Sequence, residues 1–285
     1  MAARSTPGPA PTAAPVRPAS SAAPIIDIAG VSKTFTGQTG QTEALRDISL
    51  AVERGGFVSI IGPSGCGKST LLRIVGDLVE PSAGTVTVNG KRPRQARLDR
   101  DYGIVFQTPV LYEWRTVVGN VRLPLELAGR PRAEHEQRPR MLLRLVGLEA
   151  FGDHHPWQLS GGMQQRVAIA RALALNPSIL LMDEPFGALD EMTREHLNSE
   201  LLRVWSETSA TVVFVTHSIA EAVFLSSRVV VMSPRPGRIE RMVEIDLPRP
   251  RVDKTRALPR FFDLVTTVRD SLRQDSGLGP TGPGR

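Results

Sequence analysis

Residues Gly62-Pro63-Ser64-Gly65-Cys66-Gly67-Lys68-Ser69-Thr70 constrain this chain more tightly than any other stretch. They follow the apolar run Phe57–Ile61, and the pattern after them predicts a helix beginning near Lys68. A strand, a glycine-rich turn with this spacing and a helix form a cradle for phosphate groups. Glycine lets the backbone bend so that several N–H groups point at one anion. The helix start adds a partial positive charge at the same place. Lys68 then reaches the outer phosphates, and the Ser69 hydroxyl is a ligand for Mg²⁺. A purely structural turn would not need the full pattern in this context. Cys66 carries two readings: a small residue that fits the loop, or a thiol whose pKa the helix end lowers. On the second reading, alkylation would block nucleotide binding and bound nucleotide would protect the thiol.

The rest of the chain suggests what surrounds such a cradle. Short apolar segments at 25–28, 48–52 and 85–88 read as strands. Further strands are predicted at 103–106, 179–182, Thr211–Val215 and Arg228–Met232, with helical stretches between most of them. That alternation implies a mostly parallel sheet covered on both faces. Residues 110–165 break it. They contain no convincing strand, and 121–127 and 138–148 carry helical spacing. A turn is expected at Pro234, Pro236 and Gly237, and an amphipathic helix over 261–272. Residues 1–24 are rich in Ala and Pro, with Arg4 and Arg17 as the only charged side chains, and are expected to be a disordered tail. They lack the apolar core of a secretory signal. Cys66 is the only cysteine, which excludes an intrachain disulfide framework and favours a reducing compartment.

The composition is 41% hydrophobic and 22% charged, that of a globular protein. No apolar run approaches the ~20 residues of a membrane-spanning helix. The formal charge of +6 is spread along the chain, with no basic run interleaved by aromatics. It reads as a solvated surface near anionic headgroups, not as a nucleic-acid interface.

Two later motifs narrow the reading. Ser178-Ile179-Leu180-Leu181-Met182-Asp183-Glu184-Pro185 is an apolar strand ending in two acids. Asp183 is placed to hold Mg²⁺, and Glu184 to accept a proton from an attacking water. Leu159-Ser160-Gly161-Gly162-Met163-Gln164-Gln165-Arg166 opens a helix with Val167, Ala170 and Ala174 at helical spacing. Ser160 and the two glycines expose N–H groups there, a second anion site on one chain.

That eight-residue stretch closely resembles the signature of the ABC ATPases, and the resemblance covers roughly residues 25–245. It implies an α/β P-loop NTPase fold. The core is a RecA-like, mostly parallel sheet, with an N-terminal antiparallel β subdomain and an inserted α-helical subdomain at about 110–165. Residues 246–285 then form a C-terminal helix and a flexible tail. The resemblance implies ATP and Mg²⁺ as cofactors and a head-to-tail homodimer. Ser160, Gly161, Gly162 and Gln164 of one subunit would contact the ATP held by the lysine loop of the other. Gln107 matches the Q-loop glutamine, a Mg²⁺ and water contact, and Ala188-Leu189-Asp190 the D-loop, with Asp190 facing the other subunit. His217 matches the switch histidine and Phe35 the aromatic that stacks on adenine. Glu184, His217, Lys68 and Gln107 would carry catalysis.

Finer features are similar to the nitrate/sulfonate/taurine importer branch: Trp114-Arg115-Thr116-Val117, Thr216-His217-Ser218-Ile219-Ala220-Glu221-Ala222 and Ser233-Pro234-Arg235-Pro236-Gly237-Arg238-Ile239. Two positions depart from it. Glu113 stands where that branch commonly has Pro, and Ser218 where Asp is usual. The implied partners are integral membrane permease subunits and, indirectly, a solute-binding protein, with the chain peripheral at the cytoplasmic face of the inner membrane. A soluble ABC ATPase acting on DNA or ribosomes would usually show a coiled coil, a zinc insertion or two cassettes in one chain, and none is present. A small-molecule kinase would lack the second anion turn.

Overall fold

The computed structural model describes residues 23–37 and 40–274. Most of the expected N-terminal tail and the chain end from Gly277 lie outside the described residues.

Two sheets divide the strands. The first is antiparallel, in the order β2 (Gly40–Val52), β1 (Ile26–Gly37), β4 (Ala83–Val88). The second has six strands in the order β5 (Tyr102–Val105), β6 (Ile179–Asp183), β7 (Thr211–Val215), β3 (Phe57–Ile61), β8 (Arg228–Met232), β9 (Ile239–Glu244). Its first five strands are parallel and β9 closes the edge antiparallel to β8. Every residue of β3, β6 and β7 is buried. This is why those segments read as unbroken apolar runs: a central parallel strand is covered on both faces.

The first sheet is longer than its sequence pattern. β1 and β2 run well past the apolar segments at 25–28 and 48–52, through residues exposed at the hairpin end. Backbone pairing alone extends them, so hydrophobic pattern could not reveal it. β9 and the short α2 (Pro93–Leu98) escaped for the same reason, since each buries a single residue.

Between β5 and β6 the chain is helical: α3 (Val117–Leu127), α4 (Arg132–Leu145) and α5 (Gly161–Ala172), which pack on one another. α3 begins at Val117, ahead of the predicted 121–127, because Thr116 caps it by accepting from the Gly119 N–H. α4 begins at Arg132, ahead of the predicted 138–148. Its first turns are largely exposed and carry no apolar stripe to read. α1 (Lys68–Val75), α6 (Glu191–Thr208), α7 (Ile219–Leu225) and α8 (Pro259–Gln274) complete the fold. α8 packs on α7, β8 and β9 through buried Phe261, Leu264, Val265 and Val268.

The topology positions the chemistry. The phosphate loop follows β3, Gln107 lies just past β5, Asp183 ends β6, and His217 lies just past β7. All four are at carboxyl ends of parallel strands, where open α/β sheets present a crevice to ligands.

Candidate functional site

The loop after β3 is held by two left-handed glycines, Gly65 at φ 73° and Gly67 at φ 104°. At Gly67 a Cβ would lie 2.6 Å from Leu45 Cδ2 and 2.9 Å from the Ala44 carbonyl, so β2 and the loop touch only because the side chain is absent. Lys68 is 5% exposed, and its ammonium donates to the carbonyls of Gly62 (2.9 Å) and Pro63 (3.0 Å). The cation is therefore folded back over its own loop, at the place where an incoming anion would compete for it.

Asp183 is buried at the end of β6, and its Oδ1 accepts from the Ser69 hydroxyl at 2.6 Å. A hydroxyl and a carboxylate here form a set of hard oxygen donors, suited to Mg²⁺ when phosphate and water complete the shell. Among the described residues no group of three or more His, Cys, Asp or Glu could hold a metal ion alone. Gln107 is exposed and close to the turn after β6. A Cβ on Gly187 would lie 3.3 Å from its Nε2.

Glu184 adopts φ 45°, an uncommon conformation for a long side chain, and its N–H bonds to the Val215 carbonyl at 3.0 Å. That bond ties it to β7, so Oε2 sits 3.5 Å from Nδ1 of His217. A carboxylate beside an imidazole, both at the rim of the phosphate loop, can accept and hand on a proton.

A cleft of about 310 Å³ opens above the loop. Ser64, Gly65, Gly67, Lys68, Ser69 and Thr70 form its floor, Glu184 one wall, and Phe35, Thr42, Ala44 and Arg235 its rim. Phe35 is 43% exposed at the end of β1, with the Lys33 ammonium 5.0 Å from its ring centre. Sequence reasoning missed Thr42, Ala44 and Arg235. Arg235 donates to the Gly65 carbonyl at 3.2 Å. Its segment had been noted only as a turn and a branch marker. The contact itself needs β8 beside β3, which no local signal carries.

The structure favours one of the two readings of Cys66. It is 1% exposed, wedged between Gly62, Met232 and Gly237, and burial pushes its thiol pKa up despite the nearby Lys68. Desolvation disfavours a thiolate more than the helix end and lysine favour it. The small residue that fits the loop is the reading that stands.

The second anion turn lies elsewhere. Ser160 caps α5, its hydroxyl accepting from the Met163 N–H at 3.3 Å, and Ser160 and Gly161 are exposed. Neither lines the cleft of its own chain. Leu189 packs beneath it, 3.7 Å from where a Gly161 Cβ would be. Asp190 caps α6 by accepting from the Thr193 N–H, which holds its carboxyl below the usual carboxylate range. The Gln164 amide donates to the carbonyls of Pro156 (2.9 Å) and Leu159 (3.4 Å), bracing the approach to the turn. Ser218, where Asp is usual, caps α7 by accepting from the Glu221 N–H at 3.3 Å, so the exchange preserves the cap.

On the helical layer an aromatic patch is exposed. Tyr112 and Trp114 lie 4.8 Å apart and His155 stacks on Trp157 at 4.3 Å. The His155 ring bonds to the Glu113 carbonyl, joining the two pairs, and Trp114 is 74% exposed.

Comparison with known proteins places this geometry among relatives. Residues 45–187 match the family model described as ABC transporter. The chain is 46% identical to a taurine import ATP-binding protein of Rhizobium johnstonii, covering 86% of this chain and 95% of that one. It is 42% identical to a nitrate import ATP-binding protein of Synechocystis, covering 87% and 95%. Among solved structures it is similar to an ATP-binding cassette dimer in a post-hydrolysis state bound to ADP and Pi. The TM-score is 0.69 and the identity 38%, over 77% of this chain and 98% of that one.

Proposed function

The chain belongs to the ABC transporter family and is an ATPase, and from that premise we propose that it drives an importer for a small solute of the taurine, sulfonate or nitrate type. Two copies enclose two ATP molecules, each between the lysine loop of one and the Ser160–Gly162 turn of the other. The observation that carries this reading is a second glycine-bearing helix start, with Ser160 and Gly161 exposed and Gly162 buried, that does not line the cleft of its own chain. The cassette dimer similar in structure supports the pairing.

Each residue then has a task. The loop N–H groups and Lys68 hold the β- and γ-phosphates, Lys68 exchanging its bonds to Gly62 and Pro63 for bonds to phosphate. Phe35 stacks on adenine, and Arg235 borders the same cleft. Ser69, Asp183 and Gln107 would hold Mg²⁺, which when bound neutralises charge on the phosphates. Glu184 takes the proton of the attacking water, while His217, Gln107 and Lys68 orient that water and stabilise charge. Once the γ-phosphate leaves, the turn of the opposing subunit loses its anion and the pair opens.

Among the described residues no helix is long and apolar enough to cross a membrane, so translocation needs separate membrane subunits. The Tyr112, Trp114 and Trp157 patch on the helical layer is the surface proposed to meet them. Relatives named for taurine and for nitrate match at 46% and 42% identity, so the reading extends to the solute type and not to one solute.

Replacing Glu184 by Gln keeps size and removes the base. Turnover is expected to fall by at least ~100-fold, and light scattering should detect a stable dimer in Mg-ATP. A strictly monomeric Glu184→Gln protein under saturating Mg-ATP would refute the sandwich.

A further inference from the structure

The turn that carries His217 is closed by a buried carboxylate. β7 ends at Val215 and α7 begins at Ile219, leaving Thr216, His217 and Ser218 between them. The Thr216 hydroxyl donates to Oε2 of Glu221 in the first turn of α7. The same hydroxyl oxygen accepts from the Ser218 N–H at 3.0 Å, and the Ser218 hydroxyl accepts from the Glu221 N–H at 3.3 Å. The Thr216 N–H is anchored on the Ile60 carbonyl of β3 at 3.2 Å. His217 takes no part in this ring. Its side chain is half exposed and aims at Glu184.

Capping does not explain Glu221, because Ser218 already caps α7. Packing does not explain it either. Glu221 is 4% exposed, and a buried carboxylate costs free energy that an apolar residue would not. Burial pushes its pKa up to about 7, opposed by its bond from Thr216 and by Arg194, Asn198 and Arg256 nearby. Its Oε1 is buried without a partner, as are Asn198 Oδ1 and Nε and Nη2 of Arg256, a residue of the segment leading into α8. A costly group kept at this spot is explained by what its bonded oxygen does.

We propose that Glu221 is a positioning residue for His217. Through Thr216 it locks the 216–218 turn so that the imidazole faces the Glu184 carboxylate, whichever nucleotide state the cleft holds. The inference rests on the reading above, in which His217 takes part in hydrolysis.

The test is single-turnover ATP hydrolysis and equilibrium ATP binding by the full chain. Glu221→Ala and Thr216→Val break the same bond from its two ends. Each should slow hydrolysis by at least about tenfold, since small misplacements of a reacting group cost that much or more. ATP affinity should stay within about twofold. Glu221→Gln keeps an acceptor for Thr216 and should recover at least about half of the rate. In a His217→Ala background, Glu221→Ala and Thr216→Val should each cost less than about twofold more, because the effect runs through the missing imidazole. Full penalties in that background, or no loss in either single variant while His217→Ala is slow, would overturn the proposal and leave the site reading intact. A wild-type rate in His217→Ala would sink both. Thr216→Val also frees the Ser218 N–H, so if Glu221→Ala does not fold it is read beside Glu221→Leu, which removes the carboxylate alone, and equal penalties in the two decide for the proposal.

Discussion

The two glycine-bearing turns that open α1 and α5 differ in how they start their helices and in their settings: left-handed Gly67 precedes α1 without a side-chain cap, whereas extended Ser160 caps α5. The Gly62–Thr70 loop lies at the end of a fully buried strand, with its lysine buried and its serine bonded to Asp183. The Ser160–Gly162 turn lies on the helical layer, with Ser160 and Gly161 exposed. The first is supported from beneath by β2, β8 and the segment after β8, whose Gly237 presses on Cys66. The second rests on Leu189 and on the start of α6. One turn lines the cleft of its own chain and the other does not, so what stands behind a helix start decides which surface it serves.

The largest expected effect breaks the first turn alone. Lys68→Ala removes the buried cation and should weaken ATP binding by about 100-fold, the scale of a charge-assisted bond of ~3 kcal/mol. The fold should persist, since the bonds lost are only those to the Gly62 and Pro63 carbonyls of the same loop. Isothermal titration and thermal unfolding read the two quantities separately.

Next comes the support of that turn. A Cβ at Gly237 would stand 2.0 Å from the Cys66 carbonyl, a backbone atom that cannot swing aside. Gly237→Ala should destabilise the protein by about 2 kcal/mol, as overpacking of a tight contact does. Chemical denaturation measures it, and an unchanged midpoint would show the loop to be looser than its geometry.

Ser160→Ala addresses the second turn. Losing the cap should cost about 1 kcal/mol of stability. Cooperative turnover should drop by about tenfold, equivalent to ~1.4 kcal/mol, while ATP affinity of the isolated monomer is unchanged. A loss of monomer affinity would place the turn in its own cleft and erase the contrast drawn here.

The smallest effect concerns Cys66. Its burial and raised pKa predict alkylation at least about tenfold slower than for a free thiol at neutral pH. Unfolding in guanidinium should restore the rate. Rapid labelling of the folded protein without nucleotide would mean that the loop opens on its own.

Much of this was legible from residue order. The central strands announced themselves because burial on both faces forces unbroken apolar runs. The loop, the Asp183–Glu184 pair and the signature turn were legible because each is a local device whose spacing is its mechanism. The edges were not. β9, α2 and the outer parts of β1 and β2 are exposed, and an exposed element leaves little periodicity to read.

Residue order by itself determined the phosphate loop, the acidic strand end, the alternating framework and the family. Those features depend on neighbours within a turn or a strand, and the chain specifies them directly. Tertiary structure alone decided that Cys66 is buried with its thiol pKa raised, that Thr42, Ala44 and Arg235 line the cleft, and that Glu221 bonds to Thr216 beside His217. Each of those depends on desolvation or on contact between segments far apart in the chain, and neither quantity exists until the strands have been ordered side by side.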